Sequence, residues 1–288
     1  MSQDFSDKVI FITGAARGQG AAHAKHLASL GAAVVLFDAP QREVRGVKYP
    51  LGTSEQLHAV ADEIEASGGR ALAINGDVRS QEELDQAVVA TLQKFGKIDG
   101  LITNAGVWGE IDTLWNAAES TWNEVIDINL TGSWRTIKAV APSMIEREEG
   151  SIVIVSSVLG SGEGFALGGS YAVSKHGLTG LMMTAALELG EKNIRVNALL
   201  PGMINTDIHR WQDAMDLMGG RPGGNEESLD QAGRYYSALK GRTQLDPIHV
   251  ARSAAFLLSD DASQLTGVIM PVDAGHTILP RVNQNPIP

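Results

Sequence analysis

Seven short apolar runs, at residues 9–13, 33–37, 71–75, 100–103, 152–155, 194–200 and 268–272, recur along this chain, and most are followed by a stretch of helical periodicity. That alternation predicts an α/β fold, a parallel sheet with helices on both faces. Ile152, Val153, Ile154 and Val155 are β-branched throughout, as suits a strand buried on both sides. Helices are expected over 20–30, 55–67, 81–95, 120–146, 171–190 and 247–258. Ser80 before Gln81-Glu82-Glu83 has the form of a capping box, and Asp246 precedes Pro247 at a first helical position. Two stretches break the rhythm, 39–54 and 203–245. The first is longer than a usual strand-to-helix loop, and the second is rich in Gly, Trp, Met and Tyr. No repeat or low-complexity linker divides the chain, so a single domain spanning 1–288 is expected.

Composition narrows the function classes. With 288 residues and 43% hydrophobic content the chain can bury a large core, which excludes disordered and fibrous classes. A formal net charge of -11 without a Lys/Arg-rich stripe argues against nucleic acid or an anionic membrane surface as partner. The absence of cysteine rules out disulfides, thiolate metal sites and a Cys nucleophile. The seven histidines have no ligand spacing, so no metal site is expected. Acidic residues stand where a secretion signal has basic ones, and no membrane-length apolar run occurs, so a cytoplasmic location is expected.

The first chemical motif is Thr13-Gly14-Ala15-Ala16-Arg17-Gly18-Gln19-Gly20, between the first strand and the first helix. Its glycines let the backbone turn tightly and approach a pyrophosphate, with a helix N-terminus aimed at the negative charge. Asp38 ends the second strand, 24 residues past Gly14, where a carboxylate accepts from a ribose diol and repels a 2′-phosphate. This favours NAD over NADP. Arg17 pulls weakly the other way, because a guanidinium there could reach a phosphate. Asp77 and its neighbour Val78 follow the third strand, at the adenine end of such a site; for Asp77 a plain cap is as good a reading. Asn104-Ala105-Gly106 follows the fourth strand, to line the cofactor or brace the sheet. Asn129, inside the apolar stretch 126–130, either bends its helix or holds ordered water.

The stretch 151–175 brings together the groups for proton transfer. Tyr171 and Lys175 are four residues apart on one helical face, and Ser157 stands at the preceding strand end. A phenol with its ordinary pKa of about 10 is a poor base, but a neighbouring ammonium and a cationic nicotinamide favour the phenolate. Tyr171 then exchanges a proton with an alcohol oxygen that Ser157 holds by hydrogen bonding.

With these residues in view, the chain resembles the short-chain dehydrogenases/reductases over nearly its whole length. The resemblance rests on 13–20, Asn104-Ala105-Gly106, Asn129, Ser157, Tyr171, Lys175, and Pro201-Gly202 followed by Thr206. It implies a single Rossmann domain, a doubly wound seven-stranded parallel sheet. It also implies catalytic roles for Ser157, Tyr171 and Lys175, with Asn129 holding a relay water against Lys175. Gly14, Ala16, Arg17, Gly18, Gln19, Gly20, Asp38, Asp77, Val78, Asn104, Ala105 and Gly106 would contact the cofactor, as would Tyr171 and Lys175. Pro201, Gly202, Ile204 and Thr206 would meet its carboxamide and pyrophosphate. A homotetramer joined through helices 120–146 and 171–190 is implied as well. Ser157 lies one residue further from Tyr171 than in typical members, which leaves Ser156 as the other candidate hydroxyl.

A finer likeness, through 14–20 and Tyr49-Pro50-Leu51-Gly52-Thr53, is to the carveol dehydrogenase-like branch. Members oxidise cyclic terpenoid or related secondary alcohols, and some hold NAD so tightly that a separate redox partner must reoxidise it. On this reading the insert 39–54 covers the cofactor. Region 203–245 is then either a lid over a hydrophobic alcohol or ketone substrate or plain packing. Trp108 and the 163–167 loop are further candidate pocket walls, and the glycines of 160–164 form a flexible one. The alternatives are a 3-oxoacyl thioester reductase, which Asp38 disfavours, and a non-catalytic dinucleotide-binding sensor.

Overall fold

A computed structural model describes residues 4–39, 42–162 and 164–280. Seven parallel strands form one sheet: β1 (Val9–Thr13), β2 (Ala33–Asp38), β3 (Arg70–Asn75), β4 (Gly100–Thr103), β5 (Gly150–Val155), β6 (Ile194–Pro201) and β7 (Ile269–Val272). Their order is β3-β2-β1-β4-β5-β6-β7. The chain therefore winds outward from β1 in both directions, and the crevice opens where β1 meets β4, at the carboxyl ends of the strands.

Nine α-helices are described: α1 (Gly18–Ser29), α2 (Ser54–Ala66), α3 (Gln81–Phe95), α4 (Glu119–Ile126), α5 (Gly132–Arg147), α6 (Gly169–Gly190), α7 (Gln212–Gly219), α8 (Glu226–Tyr235) and α9 (Pro247–Leu258). Alternate residues of β1 explain why its sequence is apolar throughout. Val9 and Phe11 join a core with Val88 of α3, Val140 of α5 and Met182 of α6, while Ile10 and Ile12 join one with Leu27 of α1, Leu57 of α2 and Val250 of α9. Among the described residues no helix is long and apolar enough to cross a membrane.

The structure corrects the sequence reading in three places. The helix expected over 120–146 is interrupted by a π-helical segment, Asp127–Thr131, that contains Asn129. Ser80 caps α3 by accepting from the Glu83 N–H, but Glu83 does not return the bond; its carboxylate accepts from the Asp77 N–H at 2.8 Å. Region 203–245 contains two short helices, α7 and α8, that the periodicity did not reveal. Residues 40 and 41 of the insert and Glu163 lie outside the described residues.

Candidate active site

The glycine loop after β1 has the shape a pyrophosphate requires. Gly14 is left-handed (φ 68°), and a Cβ there would lie 2.8 Å from the Ala105 Cα. A Cβ on Gly20 would lie 2.0 Å from the Gly14 carbonyl oxygen, and one on Gly18 would lie 3.3 Å from the Thr206 methyl. Only hydrogen fits at the first two positions, so the loop lies flat against the strand ends and the amides at the start of α1 face the cleft. Asn104 braces the loop by donating to the carbonyls of Thr13 (3.0 Å) and Gly14 (3.2 Å). The Thr13 hydroxyl accepts from the N–H groups of Asn104 and Ala105.

Asp38 lines the cleft at the end of β2, the position expected to meet a ribose. Its two oxygens accept from the Ala16 and Ala39 N–H groups, each at 2.8 Å. Burial raises its pKa above the ordinary carboxylate value, while those two N–H groups and Arg17 act to lower it. After β3, Asp77 and Val78 line the cleft, and the Asp77 carboxylate is gripped by Arg79 at 2.7 and 3.0 Å. Tyr49, Leu51 and Gly52 of the insert form the cleft's outer wall. The insert expected to cover the cofactor thus borders the cleft through the Tyr49-to-Gly52 segment.

Beside this cleft lies a cavity of about 540 Å³. Ser156, Ser157 and Tyr171 form one side, with Trp108 and Phe165 next to them; Ile208, His209, Met218 and Tyr236 close it from region 203–245, and Pro201, Gly202, Ile204 and Thr206 also border it. Trp108 organises the aromatic wall, with ring centroids 5.6 Å from Phe165, 6.1 Å from Tyr171 and 5.9 Å from both His209 and Trp211. Burial lowers His209 to about 4, so it presents a neutral imidazole at neutral pH. His209 and His276, set aside in sequence for want of ligand spacing, are wall residues of this cavity.

The polar groups at the end of β5 sort themselves by partner. The Ser156 hydroxyl is spent on the Lys175 carbonyl at 2.8 Å. Ser157 accepts from the Leu159 N–H at 3.2 Å, beginning a short 3-10 turn, and its hydroxyl acts to lower the Tyr171 pKa. Lys175 is buried, donates to the Val155 carbonyl at 3.1 Å, and lies 5.5 Å from the Tyr171 ring centroid. Burial pushes Tyr171 up to about 12 and lowers Lys175 to about 8. For the phenol, burial outweighs the lowering effect of the Ser157 hydroxyl.

Asn129 is fully buried at the π-helical turn. Its amide accepts from the Val107 N–H (2.8 Å) and donates to the Val107 carbonyl (2.9 Å) and the Ser174 hydroxyl (3.0 Å). Across Gly106 it faces Lys175: a Cβ on that glycine would lie 3.4 Å from the Asn129 Oδ1 and 3.5 Å from the Lys175 Nζ. His176 turns away, accepting from the Gly162 N–H at 3.3 Å.

Comparison with known proteins agrees with this geometry. Residues 8–216 match the model of the short chain dehydrogenase family. The (-)-trans-carveol dehydrogenase of Rhodococcus erythropolis is 36% identical over 272 residues, 94% of this chain and 98% of the relative. An uncharacterized NAD-dependent oxidoreductase of Mycobacterium tuberculosis is 36% identical over 271 residues, 93% of this chain and 95% of its own. The crystal structure of carveol dehydrogenase from Mycobacterium avium in complex with NAD superposes with a TM-score of 0.91 at 34% identity, covering 96% of this chain and 100% of that one. The parallel sheet, the glycine loop and the near full-length matches agree, and the chain belongs to the short-chain dehydrogenase/reductase family of oxidoreductases.

Proposed function

We propose that this protein is an NAD-dependent dehydrogenase of secondary alcohols, hydrophobic and cyclic or terpenoid-like, with Tyr171 as its acid/base. The observation that carries this reading is the meeting of Ser157 and Tyr171 on one wall of an aromatic-lined cavity that adjoins the glycine loop, with the buried Lys175 ammonium 5.5 Å from the Tyr171 ring centroid. When bound, the nicotinamide supplies the hydride acceptor or donor. The chain supplies position and proton transfer. Ser157 holds the substrate oxygen, and Tyr171 takes its proton in oxidation or returns it in reduction. Because burial alone keeps the phenol protonated, the phenolate depends on positive charge brought close, from the Lys175 ammonium and an oxidised nicotinamide ring. Asn129, facing Lys175 across Gly106, is the candidate holder of a water that carries the proton onward.

Asp38 supports NAD as the cofactor, since its carboxylate suits a ribose diol and opposes a 2′-phosphate. The named activities of the carveol dehydrogenases and of the NAD-dependent relative point the same way. Tyr49, Leu51 and Gly52 over the cleft support slow release of the nucleotide and reoxidation by a separate redox partner. Trp134 on α5 and Met183 and Leu187 on α6 are exposed apolar side chains, which supports a homotetramer built through those helices.

The test is turnover of a panel of cyclic secondary alcohols, carveol included, with NAD+ and NADP+, beside 3-oxoacyl thioesters with NADH and NADPH. NAD-linked oxidation of the cyclic alcohols is expected. Faster reduction of the thioesters would move the assignment to a biosynthetic ketone reductase, and bound nucleotide without any turnover would make the protein a dinucleotide sensor. Gel filtration of the purified protein tests retention: prompt loss of nucleotide would remove the case for a redox partner.

A further inference from the structure

Three guanidinium groups line the cofactor cleft, those of Arg17, Arg42 and Arg79. All are engaged by groups of this chain. Arg79 grips Asp77 and reaches Glu124, and Arg42 donates to Glu83 at 2.7 Å with Asp77 3.6 Å away. Arg17 is the cation whose charge bears on Asp38. It donates to the Asp207 carboxylate at 3.0 Å and to the Pro50 carbonyl. One of those acceptors belongs to the insert and the other to region 203–245.

We propose that Pro50 and Asp207 together withhold Arg17 from the ribose 2′ position, so that selection of NAD over NADP rests on this lock as well as on Asp38. The proposal rests on the reading of the cleft as a NAD site. A 2′-phosphate brings negative charge beside the Asp38 carboxylate, and an arginine is the group that offsets it by bidentate hydrogen bonding. Arg17 stands in the right loop for that task, but it must first surrender a charge-assisted bond to Asp207. Space is closed as well. A Cβ on Gly52 would lie 2.9 Å from the Ala16 Cβ and 3.5 Å from the Asp38 Oδ2, so the insert backbone already covers the carboxylate where a phosphate would need room. Removing Asp38 alone therefore relieves repulsion without supplying attraction.

Calorimetric titration of NAD+ and NADP+ tests this on protein first depleted of bound nucleotide. The series is wild type, Asp38→Ala, Asp38→Ala with Asp207→Ala, and that pair with Arg17→Ala added. Asp38→Ala alone is expected to bind NADP+ weakly; adding Asp207→Ala tightens NADP+ roughly tenfold, the scale of one charge-assisted hydrogen bond. Adding Arg17→Ala abolishes the gain. Asp207 is exposed, and Asp207→Asn, which keeps the shape and removes the charge, serves if the alanine variant does not fold. The lock is overturned if Asp38→Ala binds NADP+ as tightly as the double variant, or if the gain survives loss of Arg17. Wild type that binds both nucleotides equally would instead refute the NAD assignment itself.

Discussion

The phenol of Tyr49 accepts a hydrogen bond from the backbone N–H of Trp108 at 2.8 Å, joining the insert to the loop after β4. Tyr49 also packs on Trp211 (6.3 Å between ring centroids), and its neighbour Lys48 pairs with Asp213 at 2.5 Å. Trp108 in turn packs on Tyr171. One phenol thus links the insert beside the glycine-loop cleft, the wall of the cavity and the proposed acid/base. Burial raises its pKa above the usual tyrosine value, so it remains a neutral phenol.

Tyr49→Phe leaves the Trp108 N–H buried without its acceptor. The expected loss of stability is about 1–3 kcal/mol, read by denaturant unfolding of nucleotide-free protein. Faster NAD release in stopped-flow displacement should accompany it. Unchanged release together with the stability loss would confine Tyr49 to a packing role.

Tyr171→Phe keeps the ring against Trp108 and removes the proton carrier. Turnover should fall by about 10²–10⁴-fold, while NAD+ affinity by titration stays within a few-fold of wild type. Residual activity above a tenth of wild type would remove Tyr171 from the acid/base role.

Lys175 gives a pH signature in stability. Its folded pKa of about 8 lies below the ordinary 10.5, so between those values the unfolded chain holds more protons and stability rises with pH. Tyr171 acts oppositely: raised to about 12, it favours the folded state at low pH, and that contribution is lost as pH rises from 10 to 12. The unfolding free energy of nucleotide-free wild type, relative to Lys175→Met, should therefore rise by roughly 2 kcal/mol from pH 8 to 10. A flat difference would mean that the buried amine is not depressed.

His23 of α1 is fully buried, and neither ring nitrogen has a hydrogen-bond partner among the described residues. Burial first, then His26, lowers it to about 3, so its neutral form is favoured in the fold and stability falls as pH drops from 6.5 toward 3. His23→Leu should flatten that acid limb in thermal melts and add about 1–3 kcal/mol at pH 7 by removing the orphaned nitrogens. Equal acid sensitivity in variant and wild type would place its origin elsewhere.

Gly20→Ala would force a methyl to within 2.0 Å of the Gly14 carbonyl oxygen. Since that atom is backbone, the loop must shift, and NAD+ binding should weaken by at least about tenfold even where circular dichroism shows the fold retained. Wild-type affinity in a folded Gly20→Ala would mean that the close approach is dispensable.

Local pattern made much of this protein legible. The β-branched runs specified strands apolar on both faces, as Phe11 and Ile12 show by entering opposite cores. The glycine spacing specified the turn after β1, and the interval from Tyr171 to Lys175 put both on one face of α6. Each depends only on backbone geometry over a few residues. The alternation of elements specified a parallel sheet, while the strand order and the crevice between β1 and β4 belong to the tertiary structure.

Tertiary structure decided the rest, because it turns on contacts between distant segments. The two serines at the end of β5 differ in their contacts: the Ser156 hydroxyl is committed to the Lys175 carbonyl, while Ser157 accepts from the Leu159 N–H. The π-helical turn at Asn129 arises within an apolar helical pattern and carries an amide bound to Val107 and Ser174. Arg17 read as a free guanidinium until Pro50 and Asp207 occupied it. Residue types set the charges and the strand-like runs here, and folding set which charges are already paired.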